Sequence, residues 1–474
     1  MVRDVLLINT NVVRPPVSPI GLEYVGESLI MAGVPVRVLD LSFEPDWEIS
    51  LQRELKSAEP LAVGLSVRNT DDCSFASGQS FLPWIRDVVT GLRKLTGAPV
   101  FLGGGGFSTM PAVVLGATQA DFGIEGDGEE AASALANALM RGESFVGLPN
   151  MVYWRDGDVV RNPRAEVDLR YLPAPRRRLF DNRRYEQLGA MVGVETKRGC
   201  AQRCIFCADP VAKGKTVRLR PPEIVVQELQ DLLEQGISWL HLCDSEFNLP
   251  LSHAKEVCRA IIEQGLGDRV KWYCYCCPVP FDKELISLMK NAGCVGINFG
   301  VDSLCDEQLH RLGRTYSSED VYRLVRLLND EGFNYMFDLL IGGPGETAEM
   351  VSITIDKAKE FGLPLVGISL GVRIYPGTLI EKAVADGLIK EGLYPDKHEN
   401  PEQPLFYLSP ALGSDAVTLV NRLVGDDPRF LVLAAPAEKG SYNYAGDEAL
   451  SRLIEQGARG AYWDILRRQV LKLG

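Results

Sequence analysis

Histidine is scarce in this chain of 474 residues: His241, His253, His310 and His398 are all it has, and none precedes residue 241. Chemistry in the first half must therefore proceed without an imidazole base or ligand. Long apolar runs are also missing. No stretch approaches the ~18 uninterrupted apolar residues of a membrane span, and Met1 to Asn9 lacks the basic segment and apolar run of a secretion signal. Cytosolic residence without stable membrane insertion is expected. Positive charge is in deficit, with 50 Lys and Arg against 63 Asp and Glu and a net charge of -13. That balance argues against nucleic-acid binding, which rewards clustered Lys and Arg, and favours a small-molecule substrate. Apolar and charged shares of 46% and 24% are those of a folded globular protein rather than a disordered one. The length allows about three domains.

Cysteine is present in an odd number, eleven. Without a secretion signal, this favours metal binding or catalysis over a disulfide framework. Cys73 stands alone, three cluster at 200–207, and seven are scattered from Cys243 to Cys305.

The fold class expected is α/β. Over residues 1–145, short apolar runs at Val5–Asn9, Val34–Leu39, Leu61–Val67, Pro99–Leu102 and Asp121–Ile124 alternate with helical patterns near 20–32, 47–57, 81–95, 111–117 and 128–140. This predicts a doubly wound, Rossmann-like domain whose ligands gather at the carboxyl ends of its strands. Residues 146–190 read as a linker with a hairpin, Met151–Trp154 and Val159–Arg161 flanking the turn signal Asp156-Gly157. The run Arg176 to Arg178 reads as a solvated basic connector.

Residues 191–395 carry six strand and helix units, with strands near 191–196, 238–243, 270–276, 294–300, 334–340 and 366–372. Their helices close on Gly236, Gly265, Gly293, Gly332, Gly362 and Gly387, as left-handed caps require. A partial (β/α)6, TIM-like barrel follows, with its working residues just beyond the strand ends. Residues 396–474 read as a small C-terminal cap domain. Its Tyr407, Tyr442, Asn443, Tyr444 and Trp463 either close over a substrate or form ordinary core.

The turn after the first barrel strand reads Lys197-Arg198-Gly199-Cys200-Ala201-Gln202-Arg203-Cys204-Ile205-Phe206-Cys207. Three thiolates leave one iron of a four-iron four-sulfur cluster without a protein ligand, and that iron is open to substrate or cofactor. Zinc prefers four ligands, and no His or fourth Cys lies nearby in sequence.

The C-x3-C-x2-C spacing, with an aromatic residue before the last Cys, resembles that of the radical S-adenosylmethionine (SAM) enzymes, and the likeness extends over roughly 190–390. It implies that the open iron binds the methionine part of SAM and that an electron from the cluster yields a 5′-deoxyadenosyl radical. Asp244-Ser245-Glu246 resembles the family's acidic segment near the methionine amino group. Asp302-Ser303 stands where relatives commonly have Glu-Ser, and Arg314 where a basic residue could meet the methionine carboxylate. Gly342-Gly343-Pro344-Gly345-Glu346-Thr347 resembles the turn at the adenine, and Arg373-Ile374-Tyr375-Pro376-Gly377-Thr378 a turn that helps close the cofactor site. The resemblance thus implies SAM contacts at Asp244, Ser245, Glu246, Asp302, Ser303, Arg314, Gly342, Arg373 and Tyr375. Cys274, Cys276 and Cys277 read as buried core, with a catalytic or metal-binding thiol at Cys276 or Cys277 as the alternative.

A doubly wound domain ahead of such a barrel resembles the cobalamin-binding domain of one branch of the superfamily. It implies cobalamin contacts at Pro16 in the Pro-rich turn, at Gly104, Gly105 and Gly106 after the fourth strand, and at Gly126 and Gly128 after the fifth. With no His in this domain, the D-x-H-x-x-G signature is missing, and no His of this domain can fill the lower axial position. The resemblance implies a cobalamin-dependent radical methyltransferase acting on an unactivated carbon of a small molecule. It would use two molecules of SAM and a reducing partner such as flavodoxin or ferredoxin. Alternatives are a non-methylating rearrangement or cyclisation with the same cofactors, and a redox or cobalamin sensor.

Overall fold

The computed structural model describes residues 3–413, 415–432 and 448–470; Tyr442, Asn443 and Tyr444 lie outside them. The first sheet holds β1 (Val5–Asn9), β2 (Val36–Asp40), β3 (Ala62–Ser66), β4 (Val100–Gly103), β5 (Phe122–Ile124), β6 (Met151–Arg155) and β7 (Asp158–Arg161). Their order is β2-β1-β3-β4-β5-β6-β7. The first five are parallel, and β6 and β7 add an antiparallel edge. β1 is buried at all five positions; Val5 to Ile8 are apolar, as a strand covered by helices on both faces requires, and the polar Asn9 at its carboxyl end is satisfied by Asp40, Ser42 and Tyr185. The hairpin turn has Asp156 at φ 54° and Gly157 at φ 91°, the positive pair that a tight two-residue loop needs.

The second sheet is parallel throughout, in the order β19-β15-β14-β13-β12-β11-β8. It contains β8 (Val192–Val194), β11 (Trp239–Leu242), β12 (Lys271–Cys276), β13 (Cys294–Asp302), β14 (Tyr335–Ile341), β15 (Val366–Leu370) and β19 (Phe430–Val432). β8 and β19 are its edges, so the barrel is open. Between them in sequence, β9 (Lys197–Arg198) pairs with β10 (Arg218–Leu219), and β16 (Val372–Ile374), β17 (Leu393–Tyr394) and β18 (Leu405–Tyr407) form a small antiparallel sheet. The six glycines expected to cap helices all have positive φ.

Three expectations change. The strand expected at 366–372 breaks at Gly371, where a side chain would collide with Phe75, and the chain leaves for the small sheet. Residues 396–474 do not stand apart: β18 joins that sheet and β19 pairs with β15. The run Arg176 to Arg178 is a solvated connector only in part, because Arg176 and Arg178 are exposed while the residue between them is not. Arg177 is fully buried and pairs with the equally buried Glu228 at 2.6 Å, which also takes Arg220 at 2.8 Å and a hydrogen bond from Tyr24 at 3.1 Å. Tyr24 lies on the helix after β1, Ile20–Met31, so this buried cluster fastens the first sheet's helix to the second domain.

The lower end of the second sheet is closed by the chain's last described segment. Ala461 and Trp463 pack on Tyr273, Met336 and Leu365, and the Tyr273 hydroxyl donates to Asp464 at 2.8 Å. Among the described residues, no helix is long and apolar enough to cross a membrane.

Candidate active site

The cysteine loop leaves β9 through Gly199, at φ +91°, where any Cβ would run into the Thr216 carbonyl. It is held at three points: Cys200 N–H donates to Gly214 O at 3.1 Å, Ile205 N–H to Leu312 O at 3.1 Å, and Ile380 N–H to Ile205 O at 2.9 Å. The thiols are brought close enough for an ionised Cys200 to disfavour ionisation of Cys204 and for both to disfavour that of Cys207. Burial, the larger cause, pushes Cys204 up to about 11 and raises the other two. Among the described residues, no three Cys, His, Asp or Glu side chains converge as a single-ion site. Three thiols on one tethered loop, without an added carboxylate or imidazole, suit a cluster in which each sulfur takes a different iron.

Two of the three acidic-segment residues have local partners. Both oxygens of the buried Asp244 are taken up by the start of the cysteine loop: Thr196 N–H at 2.8 Å, Thr196 Oγ1 at 2.5 Å and Lys197 N–H at 3.2 Å. Ser245 donates to Asp209 at 2.5 Å. Glu246 keeps a buried carboxylate oxygen without a partner, and burial lifts its pKa to about 7.

Several residues expected to touch SAM are already engaged within the protein. Arg314 is locked on Asp302 at 2.5 Å, with its guanidinium 5.9 Å from the Phe206 ring. Asp302 sits at φ +65° at the end of β13. Ser303 is buried against Thr354 at 2.9 Å. Gly342, at φ +101°, donates to Glu346 at 2.5 Å, and a side chain there would strike Leu408. Arg373 crosses to the first domain, pairing with Asp71 at 2.8 Å, and Tyr375 Oη lies 3.1 Å from Cys73 Sγ. Arg373 is thus an interdomain bridge. Cys276 and Cys277 are 0% and 2% exposed in the main apolar core, where burial raises both thiols. That agrees with core packing rather than catalysis.

At the ends of the first sheet, the glycine run has a structural cause that the sequence did not show. A Cβ on Gly104 would stand 2.7 Å from Val67 O, and one on Gly106 would stand 2.9 Å from the Asn69 backbone. The chain after β3 therefore lies directly on this run, while Gly105 is open enough for a ligand. The loop Gly126 to Glu129 meets the cysteine motif itself: Arg198 pairs with Asp127 at 2.9 Å, Glu129 at 2.8 Å and its neighbour Glu195 at 2.8 Å.

Between the sheets lies one cavity of about 1070 Å³. Pro16, Gly104, Gly105, Gly106, Gly126 and Gly128 line it from the first domain, and Asp244, Ser245, Asp302 and Tyr375 from the second. Cys276, Cys277, Glu246, Ser303, Arg314, Gly342 and Arg373 are not among its lining residues. The cavity runs down the lumen of the second sheet past His241, Tyr275, Asn298 and Asp338 to Tyr462 and Trp463. Burial pulls His241 down to about 4, so its ring, 5.1 Å from that of Tyr275, is neutral. Arg68 lines the cavity beyond β3. Sequence reasoning missed Arg68, Asn298 and Asp338. The signal was available for the last two, since amide and carboxylate side chains interrupt otherwise apolar buried strands.

Fold and site together define a two-domain enzyme in which Phe206 and Ala208 of the cysteine loop and the glycine-edged first sheet line one chamber, while Cys200, Cys204 and Cys207 themselves are not among its lining residues. The radical SAM superfamily model matches residues 194–364, and the B12 binding domain model matches residues 6–136. Tryptophan 2-C-methyltransferase of Streptomyces laurentii is 33% identical over 445 residues, 81% of this chain and 74% of its own length. An uncharacterized methyltransferase of Pyrococcus horikoshii is 26% identical over 379 residues, 78% of this chain and 79% of its own. The radical SAM methyltransferase TsrM of Kitasatospora setae, solved with cobalamin and a [4Fe-4S] cluster, superposes with a TM-score of 0.90 at 30% identity, covering 100% of this chain and 99% of that one. With tryptophan and a SAM analogue bound, TsrM gives a TM-score of 0.91 at 31% identity, covering 99% and 98%. The chain belongs to the cobalamin-dependent radical SAM enzymes, among their C-methyltransferases.

Proposed function

We propose that this enzyme transfers a methyl group from SAM to a carbon of a small aromatic amino acid, with tryptophan, the molecule bound in one solved relative, as the first candidate. The observation that carries this reading is the single cavity of about 1070 Å³ shared by both sets of strand ends. Methyl carrier, methyl donor and acceptor carbon must meet in one enclosed space, and a shared chamber provides the required proximity.

Cys200, Cys204 and Cys207 would hold the cluster, while Pro16, Gly104, Gly105, Gly106, Gly126 and Gly128 would form the edge on which cobalamin lies. When bound, the cluster supplies single electrons and an iron open to SAM, and cobalamin supplies a methyl carrier. Asp244, Ser245, Asp302 and Tyr375 border the space left for SAM. Asp244 also holds the start of the cysteine loop, and behind the lining Arg314 fixes Asp302 and Arg373 fixes the interdomain seam. Arg198 ties the cysteine loop to the Gly126–Glu129 loop, so the two cofactor edges keep one spacing. The aromatic floor of Tyr273 and Trp463 keeps water from the lumen's lower end. The same reading expects a cytosolic enzyme reduced by flavodoxin or ferredoxin.

The test is anaerobic incubation of the reconstituted enzyme with methyl-deuterated SAM, L-tryptophan and a reductant. Labelled methyltryptophan should form together with S-adenosylhomocysteine. Product without label would instead support a rearrangement, and absence of any turnover on aromatic amino acids would remove tryptophan-like substrates.

A further inference from the structure

The lumen contains a polar pair with unused hydrogen-bonding capacity. Asn298 on β13 donates through Nδ2 to Asp338 Oδ2, on β14, at 2.8 Å. Its own Oδ1 is buried without a partner, and the residue is 8% exposed. The groups acting on Asp338 are the Asn298 amide and the Asp302 carboxylate, with no cation among them. A carboxylate so placed is poorly compensated, and burial lifts it to about 6.

The neighbouring backbone keeps this place open. Asp338 pairs in register with Gly300 on one side and Gly367 on the other. A Cβ on Gly367 would run into Asp338 Oδ1. Both polar residues line the cavity, above the floor where the Tyr273 and Trp463 rings meet at 5.8 Å. Asp338 Oδ1 and Asn298 Oδ1 are both acceptors. An orphan amide oxygen beside a carboxylate with no cation calls for a cationic ligand with several N–H bonds, because charge-assisted hydrogen bonds then satisfy both.

We propose that Asn298 and Asp338 form the subsite that receives the substrate's primary ammonium group. This rests on the methyltransferase reading and deepens it. The substrate is then an amine or amino acid held by its ammonium inside the lumen, with its remaining part directed toward the chamber between the domains. Asp338 acts here as a specificity residue, with no part in the bond changes.

Binding to the anaerobic holoenzyme tests this, using L-tryptophan and indole-3-propionate, which keeps the ring and carboxylate but lacks the ammonium. Wild type should prefer tryptophan by about tenfold or more, as expected for a hydrogen bond to a charged group. Asp338→Asn should lose most of that preference by weakening tryptophan, with indole-3-propionate, SAM affinity, iron content and cobalamin content little changed. Should that variant fail to fold, Gly367→Ala, which keeps the carboxylate but pushes it from its place, must weaken tryptophan selectively. Preference retained in the folded variants would overturn the subsite. Loss of SAM affinity instead would assign the pair to the cofactor's own ammonium and overturn it equally. If wild type bound neither indole ligand, the tryptophan-like reading itself would fall, a result distinguishable from the other two because no variant is needed to see it.

Discussion

The seam between the domains and the lumen of the second sheet both bury charge, but they treat it in opposite ways. At the seam, Glu228 carries Arg177, Arg220 and Tyr24, Arg198 carries three carboxylates, and Asp71 carries Arg373. In the lumen, Asp338 has one amide donor and no cation, and Asn298 keeps an orphan oxygen. A buried charge with its partners in place is part of the framework, and removing one partner is costly. A polar group left unfilled beside a cavity has capacity to bind something else. The difference separates structural from ligand-binding residues even where their residue types are the same.

The comparison is broken most severely at Glu228. Glu228→Gln leaves two buried guanidinium groups short of their counter-charge and should cost about 3–5 kcal/mol. The thermal midpoint would fall well below that of wild type. An unchanged midpoint would show that water already compensates this cluster. Asp71→Asn should cost less, about 1–3 kcal/mol, because Arg373 keeps the Leu405 carbonyl at 3.1 Å. Hydrogen exchange should rise locally in residues 69–80, and uniform protection there would deny the seam its role.

Glu346 tests the comparison away from the lumen. Its Oε2 accepts from Gly342 and Gly343 N–H, while Oε1 is buried without a partner, and burial lifts the group from 4.5 to about 7. The folded protein therefore holds this proton to higher pH than the unfolded chain. That stability is fully present below about 4.5 and is lost as pH rises through about 7. Glu346→Gln, which keeps an oxygen for the two glycines, should gain on the order of 1 kcal/mol relative to wild type at pH 8 and nothing at pH 4. A gain that did not depend on pH would point to packing instead.

The two-domain order, the strands of both sheets except β19, the hairpin and the cysteine loop were legible because each depends on local pattern: apolar period, turn residues and ligand spacing. Long-range pairing was not. Arg314, Arg373 and Ser303 follow strand ends where family motifs place cofactor contacts, yet their partners Asp302, Asp71 and Thr354 could be found only once the sheets were assembled. Gly104 and Gly106 were singled out for a cofactor, whereas the neighbour that requires glycine there is the backbone at 67–69. Arg177 read as solvated because its counter-charge is 51 residues away. Asp338 was overlooked because a strand reading takes Tyr335–Ile341 as one apolar run.

The smallest effect expected is the most discriminating. Asp338→Asn makes the same chemical change as Glu228→Gln, a carboxylate exchanged for an amide, but it removes a charge that has no cation beside it. The Asp338 carboxyl is lifted from 3.8 to about 6, so wild type loses stability as pH rises through that window while the variant does not. Above pH 6 the variant should equal or exceed wild type by about 0.5 kcal/mol, kept small because the side chain borders a cavity that admits water. Paired thermal melts at pH 4 and pH 8 measure it. The sign is the test: one exchange costs the fold several kcal/mol at the seam and nothing in the lumen. If Asp338→Asn instead destabilised by about 2 kcal/mol or more, its carboxylate would be part of the framework like Glu228, and the contrast between the two regions would fail.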